Sequence, residues 1–228
     1  MRAKMALGQE QTVYATEWLG RKIEFALFFL IGPIAIAIFM PPNFLFPMLF
    51  AVMILGLMLL HVTPGFQWRL LRNSWGGVDW RLVLGMAGLT ALTSFVVMQL
   101  YAPDRLFGLF QRVPWYFFLI LIPGYTLLSA LPQEIVFRVL FFRRYAEIIP
   151  HGPAALVLNG VIFALAHLMY WSLLVCVLTF FAGVLFAWAY KVKNSLGLAV
   201  AGHATAGVVL FLFGMGEFFY SGNVTRPF

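Results

Sequence analysis

The stretch that decides this fold is residues 129–145, S-A-L-P-Q-E-I-V-F-R-V-L-F-F-R-R-Y, which places Glu134 and Arg138 inside an apolar run. An ionised side chain at the centre of a membrane costs about 2.5–3.5 kcal/mol on insertion scales, so it persists mainly where it is paired or lines a polar cavity. His167 and His203 interrupt two later apolar segments in the same way. We therefore hypothesise that these three segments meet at a common polar site.

The composition is that of an integral membrane protein. Hydrophobic residues make up 63% of the chain and charged residues 10%, whereas soluble domains average roughly 45–50% and about 25%. Membrane spans of about 20 residues each use up the length, so residues 1–228 are predicted to form a single integral membrane domain surrounded by lipids. The only cysteine, Cys176, excludes an intramolecular disulfide. The net charge of +7 follows membrane loops rather than one basic face, which argues against nucleic acid as a partner.

Apolar runs separated by polar or proline-rich turns predict an all-α, polytopic helical bundle. Residues 1–20 lack an apolar core and are predicted to be a cytoplasmic tail. The predicted spans are residues 23–40, 44–62, 82–101, a fourth that begins at 115 and leaves the membrane at Arg143-Arg144, then 153–169, 171–190 and 196–213. Pro123 and Pro132 are expected to interrupt the fourth span, with Pro132 in the first turn of a restarted helix. Because that span can count as one helix or two, about seven to eight transmembrane helices are expected.

Basic residues outside the spans fall unequally on the two sides of this topology. Eleven lie on the side of the N-terminus: Arg2, Lys4, Arg21, Lys22, Arg69, Arg72, Arg81, Arg143, Arg144, Lys191 and Lys193. Three lie on the other side: Arg105, Arg112 and Arg226. Cytoplasmic loops carry the excess of Lys and Arg, so the N-terminus is predicted to be cytoplasmic.

The polar residues of the fourth span have two interpretations. Residues four apart share a helix face, so Glu134 and Arg138 are predicted to form an ion pair, which by itself is equally typical of a structural clasp. Gln133 is rotated by more than a quarter turn from Glu134. One of these two side chains is therefore expected to face a cavity and the other to face its partner.

The histidines lie in two other spans. Asn159, Phe163 and His167 recur at four-residue intervals and form one stripe, while His203 lies among small residues that favour close helix packing. Each histidine alone is explained by packing. Two imidazoles and a carboxyl group that converge, however, can activate water and stabilise an oxyanion, as amide hydrolysis requires.

The same three side chains, Glu134, His167 and His203, can also bind zinc as a His₂Glu set. No H-E-x-x-H helix presets two of these ligands, so zinc is the second choice and no cofactor is predicted. A third alternative treats the same residues as a proton relay of a transporter. The absence of internal repeats and of further buried carboxylates argues against it.

Three segments resemble the motifs of the CPBP family, which comprises CAAX prenyl endopeptidases and bacteriocin-processing or bacteriocin-immunity membrane proteins. These segments are P-Q-E-I-V-F-R, F-A-L-A-H and G-H-A-T-A-G, within residues 125–215. The family motifs read EExxxR, FxxxH and HxxxN, so Glu134, Arg138, Phe163, His167 and His203 match. The resemblance implies a bundle of about eight transmembrane helices and a glutamic-type intramembrane protease, although many members are labelled metalloproteases.

Two positions depart from the family pattern. The family's first Glu, which acts with the second-motif His on water, is Gln133 here, and the final Asn, which steadies the oxyanion, is Gly207. A neutral amide cannot act as a general base. Three explanations remain open: an engineered Glu-to-Gln form, an active member that uses Glu134 as base, or a natural pseudo-protease. Thr205 or Asn159 would then offset the amide missing at Gly207.

The resemblance therefore implies an intramembrane endopeptidase of a bacterial inner membrane that acts on a membrane-associated peptide or protein. His167 would activate water with Gln133 or Glu134, His203 would stabilise the oxyanion, and Arg138 would hold Glu134. The cavity is expected between the fourth, fifth and seventh spans. The alternative is a non-catalytic family member that binds a peptide or a membrane partner, as in bacteriocin immunity.

Overall fold

The structure, a computed structural model, describes residues 16–224 and 226 of the chain. This part of the chain is helical. Its α-helices are α1 (Thr16–Phe39), α2 (Leu45–His61), α3 (Trp68–Asn73), α4 (Trp80–Tyr101), α5 (Leu109–Arg112), α6 (Tyr116–Arg144), α7 (Pro153–Ala166), α8 (Leu173–Lys191) and α9 (Leu196–Leu212). Short 3₁₀ turns follow at Pro42–Phe44, Pro103–Arg105, Leu168–Tyr170, Met215–Glu217 and Ser221–Asn223.

The predicted helical membrane bundle is confirmed. Within the described residues, five helices are long and apolar enough to cross a membrane, with α7 extended by its 3₁₀ turn, and α2 and α9 are shorter apolar helices. Seven helices therefore occupy the seven predicted spans. Residues 1–15 of the predicted tail lie outside the described residues, and residues 16–20 form the first turns of α1.

The fourth predicted span is one helix, so the expected restart at Pro132 is wrong. Helix α6 is continuous over 29 residues and contains two wider π-helical segments, Thr126–Ala130 and Ile135–Leu140. A proline lacks the N–H for the α-helical hydrogen bond and crowds the preceding turn. The wider turn just before Pro132 relieves this crowding without ending the helix.

Local sequence signals set several helix starts. The carboxylate of Asp79 accepts from the backbone N–H of Arg81 at 3.0 Å, and the hydroxyl of Ser195 accepts from Leu198 N–H at 3.0 Å. Such N-caps satisfy donors that have no partner within the helix. Pro153 occupies the first turn of α7, where its missing N–H costs nothing.

Helices α7 and α8 pack closely because glycines face each other. A Cβ built on Gly183 would lie 2.9 Å from the Cα of Gly160 and 2.9 Å from the Cβ of Phe163. Any larger residue at either glycine would push the two helices apart. This close contact holds Phe163 against the middle of the bundle, where it is 1% exposed.

An ion pair joins α1, α2 and α6 at the arginine-rich end of the bundle. Arg144 Nε lies 2.5 Å from Glu24 Oε1, and Arg144 Nη1 donates to the Leu59 carbonyl at 2.8 Å. The Tyr145 hydroxyl donates to the same Glu24 carboxylate at 2.8 Å. Burial and this hydrogen bond to Glu24 raise the pKa of Tyr145, so the phenol keeps its proton. These contacts fix α1 and α2 beside α6.

Candidate active site

Four buried polar residues form a connected network, here called the clamp: Glu134, Arg138, Asn159 and His203. Arg138 Nε donates to Glu134 Oε2 at 3.0 Å, and both side chains are 0% exposed. A second guanidinium nitrogen donates to the Asn159 side-chain carbonyl, and the Asn159 amide donates to the Phe137 carbonyl at 2.6 Å. Each charge in the clamp is therefore paired, as a buried ion pair requires.

His203 completes the clamp through one ring nitrogen. Its Nδ1 lies 2.8 Å from Glu134 Oε1. Because a carboxylate only accepts hydrogen bonds, Nδ1 carries the proton and Nε2 is the remaining ring nitrogen. The ring stacks on Phe186 with centroids 4.8 Å apart and meets Phe163 edge-on at 5.6 Å. Position and tautomer of His203 are thus fixed by Glu134 and two phenylalanines.

A large cavity lies beside the clamp, with a volume of about 1280 Å³. Its apolar side comes from α1, α2 and α6: Leu27, Phe28, Ile36, Phe39, Leu49, Val52, Leu55, Leu121 and Leu128. The cavity was expected between the fourth, fifth and seventh spans. That expectation omitted α1 and α2, which form an entire side of the cavity although they carry no recognisable motif.

Five polar side chains line the cavity near the clamp, here called the polar wall: Tyr125, Ser129, Gln133, His167 and Tyr170. The Gln133 amide donates to the Ser129 hydroxyl at 2.9 Å. His167 Nδ1 lies 2.7 Å from the Phe163 carbonyl, so it donates there and leaves Nε2 as an acceptor in the neutral ring. Tyr170 stacks on the His167 ring with centroids 6.0 Å apart.

The polar wall and the clamp divide the predicted site residues between them. Gln133 and His167 border the cavity, whereas Glu134 and His203 do not occur among the described residues that border it. Neighbouring helix residues point about 100° apart, so Gln133 turns to the cavity and Glu134 to Arg138. Phe163 separates the two groups, with its ring 4.6 Å from that of His167 and 4.8 Å from the Arg138 guanidinium.

Neither residue expected to offset the amide missing at Gly207 is available for that role. Asn159 is committed to Arg138 and to the Phe137 carbonyl. Thr205 is two positions beyond His203, on the other side of α9, and is not among the described residues that border the cavity. The space beside Gly207 is instead filled by the ring of Tyr125, which a Cβ at position 207 would overlap.

The proposed zinc ligands do not fit a metal site. Among the described residues, no three His, Cys, Asp or Glu side chains are grouped so that they could hold a metal ion. The Glu134 carboxylate already binds the Arg138 guanidinium and His203, and a neighbouring cation disfavours a second one. The arrangement of Glu134, His167 and His203 is therefore not a His₂Glu zinc set.

The cavity extends to an ion cluster at the end of the bundle opposite Arg144. Arg105 and Arg112 contact the two oxygens of Glu217 at 2.6 and 2.8 Å, and both arginine side chains are about 60% exposed. Partial burial raises the pKa of Glu217, but the hydrogen bonds and charges of the two arginines outweigh this, so the pKa lies below its usual value. The cluster ties the loop between α4 and α6 to the segment after α9.

Sequence reasoning missed Tyr125, Ser129 and Tyr170. A usable signal was present, since Tyr125, Ser129 and Gln133 follow one another at four-residue intervals and hence share one face of α6. Tyr170 carries no such signal, because its position depends on the 3₁₀ turn that ends the fifth span.

Comparison with known proteins identifies a family for the part of the chain that holds both groups. Residues 114–209 match the family model described as type II CAAX prenyl endopeptidase, Rce1-like. The predicted CPBP/CAAX protease family is thereby confirmed. The matched segment runs from the start of α6 into α9 and leaves out α1 and α2. Searches of curated proteins and of solved structures found no match.

Proposed function

We propose that this chain, whose residues 114–209 match the Rce1-like type II CAAX prenyl endopeptidase family model, is an intramembrane endopeptidase that hydrolyses a peptide bond of a membrane-associated substrate. One observation carries the proposal: Gln133 and His167 present hydrogen-bond acceptors to a cavity of about 1280 Å³ next to a buried ion pair. A cavity of this size accepts several peptide residues. Its apolar side, formed by α1, α2 and α6, suits a substrate that arrives through lipid.

His167 is the proposed general base. Its Nδ1–H is held by the Phe163 carbonyl, so the neutral ring points the lone pair of Nε2 away from that contact. The Gln133 amide nitrogen is held by Ser129, which leaves the Gln133 carbonyl oxygen to accept a hydrogen bond from water. Gln133 would thus orient the water and His167 would remove its proton, a contribution of about 10²–10⁴ in rate.

Hydrolysis then proceeds without a covalent enzyme intermediate. The water oxygen forms a bond to the substrate carbonyl carbon while its proton moves to His167 Nε2. The electron pair of the carbonyl π bond moves to oxygen, which becomes the oxyanion. Collapse of this intermediate breaks the C–N bond, and His167 returns its proton to the leaving nitrogen.

The clamp supports this chemistry although its residues do not border the cavity. Phe163 touches the His167 ring on one side and the Arg138 guanidinium on the other, so the clamp positions the base through packing. We assign Glu134 and Arg138 this positioning role rather than that of a water-activating base. His203, which is hydrogen-bonded to Glu134, would help to neutralise the charge of its carboxylate. Asn159 holds the Arg138 guanidinium in place and is itself anchored to the Phe137 carbonyl.

The substrate would reach the cavity from the side that carries few arginines. The cavity borders Arg105, Arg112 and Glu217, and the positive-inside rule places that end outside the cytoplasm, in a bacterial cell on the outer face of the inner membrane. In a Cys176→Ala background, a membrane-impermeant maleimide should label Asn223→Cys in intact cells and spare His151→Cys. Labelling of His151→Cys but not of Asn223→Cys would show that the proposed orientation in the membrane is wrong.

The proposal is tested by His167→Ala in proteoliposomes. Peptides with a lipid anchor are offered as substrates, and the products are identified by mass spectrometry. We expect the parent chain to cleave at a defined bond and His167→Ala to lose at least about 10²-fold in turnover. Tyr116→Phe, at an exposed position outside the cavity, is the matched control and should cleave like the parent. Unchanged turnover in His167→Ala would remove the assignment.

A second candidate function is a non-catalytic family member that binds a peptide or a membrane partner, and Gln133 is the observation that favours it. The variant Gln133→Glu distinguishes the two because a carboxylate can accept a proton. If the parent is inert and Gln133→Glu cleaves, the native chain is a binding member. If both cleave, the chain is a peptidase with His167 as its base.

A further inference from the structure

Tyr125 occupies a position in the polar wall that no motif assigns. It borders the cavity together with Ser129 and Gln133, which lie one and two turns further along the same face of α6. The Gln133 amide donates to Ser129 at 2.9 Å. The three side chains therefore form one polar stripe along the cavity.

Gly207 makes this position of Tyr125 possible. A Cβ at position 207 would overlap two ring carbons and the phenol oxygen of Tyr125, so only glycine leaves room for the ring against α9. The ring also meets His203 edge-on, with centroids 6.2 Å apart, and Phe211 at 5.9 Å. These three contacts with one face of α9 hold the ring in one orientation, as a preorganised donor requires.

Counting donors and acceptors shows what the phenol can supply. The Nδ1–H of His167 is used by the Phe163 carbonyl, and the Gln133 amide is used by Ser129. Ser129 accepts from Gln133 and keeps its own O–H to donate. The O–H of Tyr125 is available to a ligand in the cavity that His167 and Gln133, with the acceptors Nε2 and Oε1, also line.

We infer that Tyr125 is a catalytic residue whose phenol donates the hydrogen bond that stabilises the oxyanion. This inference rests on the proposed hydrolysis. As the carbonyl electron pair moves to oxygen, the Tyr125 O–H donates to that oxygen and keeps its proton throughout, while the proton of water travels through His167 alone.

Tyr116 supplies the matched control. It lies at the start of the same helix, α6, but it is 55% exposed and is not among the described residues that border the cavity. Removing its hydroxyl therefore leaves the polar wall unchanged. Both substitutions, Tyr125→Phe and Tyr116→Phe, delete one oxygen atom and keep the ring.

The experiment measures kcat and KM of the parent chain, Tyr125→Phe and Tyr116→Phe in proteoliposomes with the lipid-anchored peptide that the parent, or Gln133→Glu if the parent is inert, cleaves. Loss of one oxyanion donor lowers kcat by about 10²–10³. We expect this loss in Tyr125→Phe with KM changed by less than about threefold, because the interaction forms only in the transition state. Tyr116→Phe should stay within about threefold of its parent.

A binding measurement separates a catalytic from a merely structural role. A phosphinic peptide of the same sequence carries a charged oxygen where the oxyanion forms. Tyr125→Phe should weaken binding of this analogue by the same factor as kcat and leave binding of the product peptide unchanged. Equal kcat and equal analogue affinity in Tyr125→Phe would overturn the inference with the peptidase proposal intact. If neither the parent nor Gln133→Glu cleaves any peptide, the proposed function falls and this inference falls with it.

Discussion

The clamp and the polar wall meet on α6, where their residues lie on adjacent faces, and they differ in almost every physical property. Glu134 and Arg138 are fully buried and paired with each other, whereas Gln133 and Ser129 are partly exposed to the cavity and neutral. The clamp is charged but does not border the cavity, whereas the polar wall borders the cavity and is neutral. The difference shows that the conspicuous ionisable residues of a membrane helix are not by themselves the reacting ones.

Position in the bundle explains the contrast. A fully buried ion pair pays a desolvation cost of several kcal/mol per ion, so it persists only when each partner is satisfied and fixed. Such a group is well suited to hold helices and poorly suited to meet a substrate. The cavity-facing groups keep unused acceptors because water or substrate can still satisfy them.

Breaking the clamp should have the largest effect on stability. Arg138→Leu leaves the Glu134 carboxylate buried without its cation, so we expect a loss of about 3–5 kcal/mol in the free energy of unfolding. Gln133→Leu, on the polar wall, should change it by less than about 1 kcal/mol. Equilibrium unfolding in detergent micelles, followed by circular dichroism, measures both.

The double variant Glu134→Leu/Arg138→Leu sharpens this prediction. Removing both charges eliminates the unpaired ion, so the double variant should be more stable than Arg138→Leu alone. If Arg138→Leu and Gln133→Leu were equally mild, the clamp would have no structural role.

Filling the space at Gly207 should have an intermediate effect. Gly207→Val places methyl groups where the ring of Tyr125 lies, so the ring must leave the polar wall or α9 must shift. Overpacking of this kind costs about 1–3 kcal/mol. The combined variant Gly207→Val/Tyr125→Ala should recover part of the lost stability, as read from thermal unfolding. No recovery would show that the two residues are not coupled.

The exposed cluster at the cavity mouth should have the smallest effect. Glu217→Gln removes an ion pair with two largely exposed arginines, which is worth less than about 1 kcal/mol. Because the pKa of Glu217 is lowered by folding, its contribution is complete above the unfolded value of about 4.3 and is lost as the pH falls through the lower folded value. The parent and Glu217→Gln should therefore differ in melting temperature at pH 7, and this difference should shrink as the pH falls below about 4.3.

Much of the fold was predictable because hydropathy alone determines where a helix can cross a membrane. Helix α9, predicted for residues 196–213, occupies Leu196–Leu212. The different directions of the Gln133 and Glu134 side chains were predicted from helix geometry alone. The continuity of α6 through Pro132 did not, because a π-helical turn depends on the surrounding packing rather than on a local signal.

The cavity was less predictable because it too depends on how the helices pack. The apolar residues of α1 and α2 look alike whether they face lipid or a cavity, so nothing in the sequence of Leu27 or Val52 marks them as cavity residues. Tyr125 and Gly207 are 82 positions apart, and their complementary shapes appear only when α6 and α9 are placed side by side.

The most direct test of the central claim, that the polar wall reacts while the clamp supports it, is the turnover of Glu134→Gln per folded molecule. Folded protein is isolated by size-exclusion chromatography and assayed with the lipid-anchored peptide beside His167→Ala. We predict that folded Glu134→Gln melts at a lower temperature but keeps turnover within about tenfold of the parent, while folded His167→Ala loses at least about 10²-fold in turnover. A Glu134→Gln protein of unchanged stability and no turnover would contradict this account, because Glu134 would then be the reacting group.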